Sequence, residues 1–397
     1  MRAALRHTAL RRACLVVVLL AGTTAAALAG TPRPSPAPGA GPPHGNSAWV
    51  YDALYRNGHV HGSQPGSFVD AINRYNRGAA PQHAITRVYT YGGSLEMYCH
   101  RGPEHCAPDD LKFAFGSAGQ RSAAAYATRL EPIAGQRVKV ETIIDGSLRA
   151  HYNGSLRGFN HLSPALARGF ADKVAGAICA DPQVSGVQFD LEPFNVASKN
   201  GQYWFYRRIA EDFAGAGSQG AALHCADAQH PQGRDFSIFG AAHDLDPHSA
   251  RGRNLRDILT AQHNGFFIVA LYDLSDQPGG HLSTPQAYAH KAAHQAQMAA
   301  SDAAALGVPY QLAVPASASA HEYARCGGLL CRQPGDGSQL AYLQAAMQAV
   351  DDSGARKDPR YLGTAVWAWS REITHGSMRF SPSTPPAGVL QFLHEHL

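Results

Sequence analysis

The run Gly186-Val187-Gln188-Phe189-Asp190-Leu191-Glu192-Pro193 concentrates the side chains best suited to chemistry. Read as a β-strand, residues two apart share a face. Gln188, Asp190 and Glu192 then point one way, and Val187, Phe189 and Leu191 point the other. Two carboxyl groups about 6–7 Å apart on one face push each other's ionisation apart, so that one stays charged while the other keeps a proton. A carboxyl that is still protonated at neutral pH is what general-acid catalysis requires. The plainer reading is a polar cap on the core, bonded to loop backbone.

These groups need elements to hold them, and the rest of the chain supplies a repeating pattern. Short β-branched or aromatic runs alternate with helical stretches. The strands are Trp49–Asp52, Ile85–Tyr91 (closed by Gly92-Gly93), Val138–Ile144, Gly186–Leu191, Phe266–Tyr272, Tyr310–Val314 and Leu362–Trp367. A fifth in chain order is either Ala221–His224 or Asp235–Phe239, and the second is preferred. Helices follow near Gly66–Tyr75, Arg121–Leu130, Ser163–Ile178, Gln202–Ala214, Leu255–Gln262, Thr284–Ala305, Ser338–Val350 and Pro386–Leu397. Eight strand–helix units favour parallel strands with helical crossovers. The expected fold class is therefore α/β, a single (β/α)8 TIM barrel with disulfide-stapled loops. No GxGxxG follows the first strand and no GxxxxGK[ST] occurs, which argues against nucleotide-binding folds.

The active site of such a barrel lies at the C-terminal ends of its strands. There the sequence places Tyr51, Asp52, Tyr91, Asp145, Gln188, Asp190, Glu192, Tyr272, Asp273, Trp367 and Trp369. Acids and aromatics gather at these ends while Lys and Arg are nearly absent. That lining suits a neutral sugar, whose ring faces stack on aromatics and whose hydroxyls bond to acids; a phosphate would call for cations or a glycine loop at a helix start.

Together these pieces resemble glycoside hydrolase family 18, the chitinases and endo-β-N-acetylglucosaminidases, as a divergent member. The family's fourth strand ends in DGxDxDxE, which here places its Gly on Gly186, its last Asp on Asp190 and its Glu on Glu192. Its Tyr-Asp pair after the sixth strand matches Tyr272-Asp273, and its Trp ending the eighth strand matches Trp367. The resemblance implies a retaining mechanism in which the N-acetyl group of the substrate attacks the anomeric carbon. Glu192 would be the acid and then the base, Asp190 would steady the acetamido group, and Tyr272 would hydrogen-bond it. Asp273 would contact the sugar or tune Tyr272, and Trp367 would floor the pocket. The chain also departs from the pattern. Ser185 and Gln188 stand where the family has its first and middle Asp, and Ile144-Asp145-Gly146 replaces its SxGG. A Gln cannot take a proton from Asp190. A glycosidase of another barrel family, with Asp145 or Asp273 as second carboxylate, and a non-catalytic glycan-binding barrel are the rival readings.

Domain organisation starts with Arg2, Arg6, Arg11 and Arg12, then the apolar run Ala13–Gly22, then Ala27-Leu28-Ala29. This is the pattern of a signal peptide over residues 1–29, cut after Ala29, in a secreted or periplasmic protein. An N-terminal membrane anchor is the alternative. Residues 30–46 are rich in Pro and Gly and read as a linker, with the barrel over 47–397. The net charge is +4 and four arginines lie in the leader, so the mature chain is near neutral, with no electrostatic case for nucleic acid. No cofactor or metal is expected, since no CxxC pair exists and His59-Val60-His61 reads as a solvated loop. The expected partner is a poly- or oligosaccharide, the expected state a monomer with no membrane span after leader removal. Without Cys14 six of the seven cysteines remain. Cys99 with Cys106 and Cys326 with Cys331 are close in sequence, which leaves Cys179 with Cys225. This is a preference among fifteen pairings.

Overall fold

The computed structural model describes residues 42–397 except 53, 57–58, 62–63, 116, 150–153, 216–222, 224, 273, 275–283, 317–324, 328–329, 333–336, 371–372, 376–377 and 381–384. The leader and nearly all of the linker, together with Asp273, therefore lie outside the described residues.

Eight parallel strands close on themselves. They are β1 Asn46–Tyr51, β2 Ile85–Met97, β3 Lys139–Ser147, β4 Gly186–Glu192, β5 Asp235–Gly240, β6 Gly265–Ala270, β7 Tyr310–Pro315 and β8 Tyr361–Ser370. Each pairs with the next, and β1 pairs with both β2 and β8, so no barrel edge is left open. One helix follows each strand: α1 Val69–Gly78, α2 Ser117–Arg129, α3 Pro164–Cys179, α4 Gly201–Asp212, α5 Ala250–Leu259, α6 Pro285–Leu306, α7 Gly337–Asp352 and α8 Ala387–His396. This is the (β/α)8 barrel expected from the alternation, with the preferred Asp235–Phe239 run serving as β5.

Helix starts follow from local hydrogen bonding. Ser163, Asn200, Ser249 and Thr284 each accept from a backbone N–H of the first turn, which satisfies a donor that the helix cannot. Pro164 and Pro285 occupy first turns, where no N–H is needed.

The second strand departs from expectation. It does not stop at Gly92-Gly93 but runs on to Met97, where its outer half pairs antiparallel with Leu111–Phe115. A bulge between Tyr91 and Gly93 allows this. A side chain at Gly92 would meet Thr142 Oγ1 at 1.5 Å, so the backbones come together only because glycine stands there.

The barrel interior is filled in layers, as these barrels require. At the N-terminal end, Arg87 and Glu141 form a buried ion pair at 2.5 Å. Asp235 also pairs with Arg87 and Lys139, and Arg87 lies over the Phe266 ring. Above it, Ser47 and Tyr89 both donate to Gln311 Oε1, at 2.9 and 2.8 Å. Next, Trp49 Nε1 donates to Gln188 Oε1 at 3.1 Å, with Phe239 edge-on to the Trp49 ring. Outward-facing strand residues pack against helices; Phe189, for example, sits against Phe205 and Tyr206 of α4.

Two disulfides are formed, Cys99–Cys106 in the loop after β2 and Cys179–Cys225 joining the end of α3 to the approach to β5. Cys326 and Cys331 stand opposite one another in the backbone register of a short antiparallel hairpin. Among the described residues no helix is long and apolar enough to cross a membrane.

Candidate active site

At the C-terminal mouth, β3 and β4 run in register so that Asp145 stands beside Asp190 and Ser147 beside Glu192. The backbone of this corner is fixed by Leu148 N–H donating to Glu192 O at 2.7 Å. Glu192 is exposed, and Asp190 is partly buried one layer down. One oxygen of Asp190, Oδ1, is shut off from solvent and finds no hydrogen-bond donor among the described residues. A charged carboxylate in that position is poorly solvated. Burial first, then the charges of Glu192 and Asp145, push the Asp190 carboxyl up to about 8. Asp145 is pushed up to about 7, again chiefly by burial, against the stabilising hydrogen bond it accepts from Tyr91 Oη at 3.3 Å. The mouth thus holds three neighbouring carboxyl groups that cannot all ionise at neutral pH.

An aromatic floor lies across from these acids. Tyr272 stacks on Trp367 with ring centres 4.8 Å apart and planes 16° from parallel. On its other side Phe239 stacks at 5.9 Å. Trp367 Nε1 donates to Tyr51 Oη at 3.3 Å. The Tyr51 hydroxyl is held in its neutral form by burial and by the charges of Asp190, Asp145 and Glu192. Tyr51 therefore connects the aromatic floor to the acid cluster. A cleft of about 550 Å³ opens beside Glu192, with Phe239 and Tyr272 in its wall and Arg149, Asp244 and Arg251 around them.

The expected residues divide into groups. Glu192, Asp190, Asp145, Tyr91, Tyr51, Tyr272 and Trp367 come together at the mouth. Gln188 is only 1% exposed and lies beneath the mouth, bonded to Trp49. Its Nε2 has no partner among the described residues. Asp52 and Trp369 do not belong to the site. The Asp52 carboxylate is fully buried behind the barrel wall, where it accepts from Ser122 Oγ on α2 and from Gly66 N–H ahead of α1, at 2.8 and 2.7 Å. It follows Tyr51, and alternation along a strand sends neighbours to opposite faces. Trp369 is 1% exposed and packs edge-on against Tyr75 of α1. It is two residues from Trp367 and would share its face in a regular strand. Here Ala48 pairs with Val366 but Val50 pairs with Trp369, so β8 carries one residue more than β1 and its facing reverses.

Three contributors escaped the sequence reading. Phe239 ends β5, and the alternation Asp235, Ser237, Phe239 along the preferred run carries enough signal to find it. Arg149 and Arg251 come from a loop and a helix start, and no strand pattern points to them.

No family model and no curated protein sequence matches the chain. The solved structures it resembles are TIM-barrel glycoside hydrolases. An endo-β-1,4-glucanase from Xanthomonas axonopodis pv. citri is 12% identical with a TM-score of 0.50, over 89% of this chain and 98% of that one. XacCel5A, solved with cellopentaose, is 11% identical with a TM-score of 0.52, over 89% and 99%. A GH18 chitinase from Pseudoalteromonas aurantia is 11% identical with a TM-score of 0.46, over 89% and 100%. At such identities the likeness to the two glucanase-type barrels bears on the fold alone.

Proposed function

We propose that this protein is an exported glycoside hydrolase, working as a monomer on a poly- or oligosaccharide that contains N-acetylhexosamine, by a retaining, substrate-assisted mechanism. The observation that carries the reading is the pair on β4: Glu192 open to the cleft, and beneath it Asp190 with a buried, undonated oxygen and a raised carboxyl pKa. Burial and the neighbouring Glu192 charge keep a proton on Asp190 near neutrality, beside the acid that must deliver one.

With the proton on Glu192, the glycosidic oxygen receives it as the C–O bond breaks. The substrate's acetamido oxygen attacks the anomeric carbon from the other face, and the Asp190 carboxylate balances the positive charge of the resulting ring. Water then attacks the same carbon as its bond to the acetamido oxygen breaks and the acetamide re-forms, Glu192 takes the water's proton, and the sugar leaves with its configuration retained. Trp367, backed by Tyr272, gives the sugar ring a flat apolar seat, and Tyr51 supplies a hydroxyl at the edge of the acid cluster. Asp145 stands beside Asp190 in the place of a second acid, since Gln188 cannot accept a proton.

The test is hydrolysis of chitin oligosaccharides, N-glycans and other N-acetylated glycans by wild type and by Glu192→Gln, with the anomer of the first product read by NMR. Retention, together with inhibition by a thiazoline analogue of the cyclic intermediate, is expected. Hydrolysis confined to glycans without an N-acetyl group, or inversion, would reject the mechanism.

A further inference from the structure

The strand ends carry acids and aromatics, yet the cleft beside Glu192 is walled by two guanidinium groups. Arg149 leaves the loop after β3 and is exposed, and its guanidinium has no hydrogen-bond or ion-pair partner among the described residues. Arg251 sits in the first turn of α5, where the helix dipole disfavours a positive charge. Asp244 holds it there, accepting from Arg251 Nη1 at 2.5 Å. The other oxygen of Asp244 is taken by Ala241 N–H at 2.9 Å. Both oxygens of Asp244 are thereby engaged, while Arg251, with a side chain 29% exposed, makes no other hydrogen bond or ion pair among the described residues. His243 lies on the same wall, its side chain 65% exposed and its Nε2 3.5 Å from Asp244 Oδ1.

A neutral sugar would offer these donors only hydroxyl oxygens. Guanidinium groups bind carboxylates through paired N–H donors, which gives both charge and planar fit. Phe239, with Tyr272 stacked against it, puts apolar ring surface on the same wall beside the charge. We propose that the cleft takes an acidic glycan, and that Arg149 and Arg251 receive a sugar carboxylate next to the bond cut at Glu192. The ligand's identity as a glycan rests on the hydrolase reading above; its charge rests on the arginines alone.

The test measures binding by calorimetry on Glu192→Gln, so that no turnover is needed. The probes are a hexasaccharide alternating N-acetylhexosamine with uronic acid, its carboxyl-reduced counterpart, and a sulfated neutral hexasaccharide. The acidic glycan is expected to bind about tenfold or more tightly than its reduced form at low salt, and the advantage should shrink as salt rises. Adding Arg149→Gln should bring the ratio near one, and Arg149→Lys should restore part of it, with melting temperature and circular dichroism confirming the fold of each. Equal binding of acidic and reduced glycans, or a preference untouched by Arg149→Gln, would overturn the proposal. Tighter binding of the sulfated glycan would overturn the carboxylate assignment. Charge-selective binding without wild-type hydrolysis of any of the three would sink the hydrolase reading while leaving this one standing, and hydrolysis of neutral glycans with no charge preference would do the reverse.

Discussion

Asp190 is the residue on which the chemistry turns, because its environment favours the neutral carboxyl. Burial raises it to about 8 and Asp145 to about 7. A carboxyl whose folded pKa lies above its unfolded value stabilises the fold most at low pH, and that contribution disappears as pH rises through the folded value. The wild-type melting temperature should therefore fall steadily from about pH 4 to about pH 8 and level off above that. Asp190→Asn, which carries no charge, should flatten that slope; melting curves across the range check it, and a slope unchanged in the variant would place the titration elsewhere. Activity should decline on its alkaline side near pH 8, where Asp190 gives up its proton. Glu192→Gln should cost about 10²–10⁴-fold in kcat with a smaller effect on KM, as removal of a general acid does. Single-substrate kinetics would show it. Much of this site was legible from spacing alone, since period two along Gly186–Glu192 puts the acids on one face. Asp52 and Trp369 were misplaced for two different reasons. Asp52 follows Tyr51 and so faces the helices, and Trp369 lies beyond an extra residue in β8 that shifts the period. A bulge arises from how two strands meet, and neither strand's sequence announces it.

At the scale of elements, the eight strands and eight helices were all visible, because each strand is a short apolar run and each helix a longer amphipathic or Ala-rich one. What escaped was the second half of β2. Its glycines read as a terminator, yet they permit close approach to β3 and let the strand continue into a hairpin with Leu111–Phe115. The two disulfides tie different kinds of segment. Cys99–Cys106 spans seven residues within one loop, whereas Cys179–Cys225 spans 46 and links α3 to the approach to β5. In the loop-entropy account, the longer closure restrains the unfolded chain more. Cys179→Ala with Cys225→Ala should thus cost about 1–2 kcal/mol more than Cys99→Ala with Cys106→Ala. Urea unfolding of the two double variants measures the difference, and equal losses would mean that native-state effects dominate.

For the molecule as a whole, the barrel separates stability from chemistry along its axis. The N-terminal end is closed by Arg87, Glu141 and Asp235, with Phe266 against the guanidinium. These charges are paired inside the barrel, and removing one leaves the others buried without compensation. The C-terminal end holds Asp190 with an undonated oxygen and an aromatic face turned to a cleft. Functional sites tolerate such unsatisfied groups and the rest of the fold offsets their cost. The two ends should therefore respond to substitution in opposite ways. Arg87→Leu should lower stability by about 3–5 kcal/mol, the usual result of breaking a buried pair, while the kcat/KM of the folded fraction changes little. Trp367→Ala removes a stacked, partly exposed ring at the mouth. It should cost less stability but raise KM about tenfold, as loss of aromatic stacking on a sugar ring would. Urea unfolding and steady-state kinetics on both variants give four numbers. If Arg87→Leu disabled turnover while remaining fully folded, the basal ion cluster would have to communicate with the mouth, and the separation drawn here between the two ends would fail.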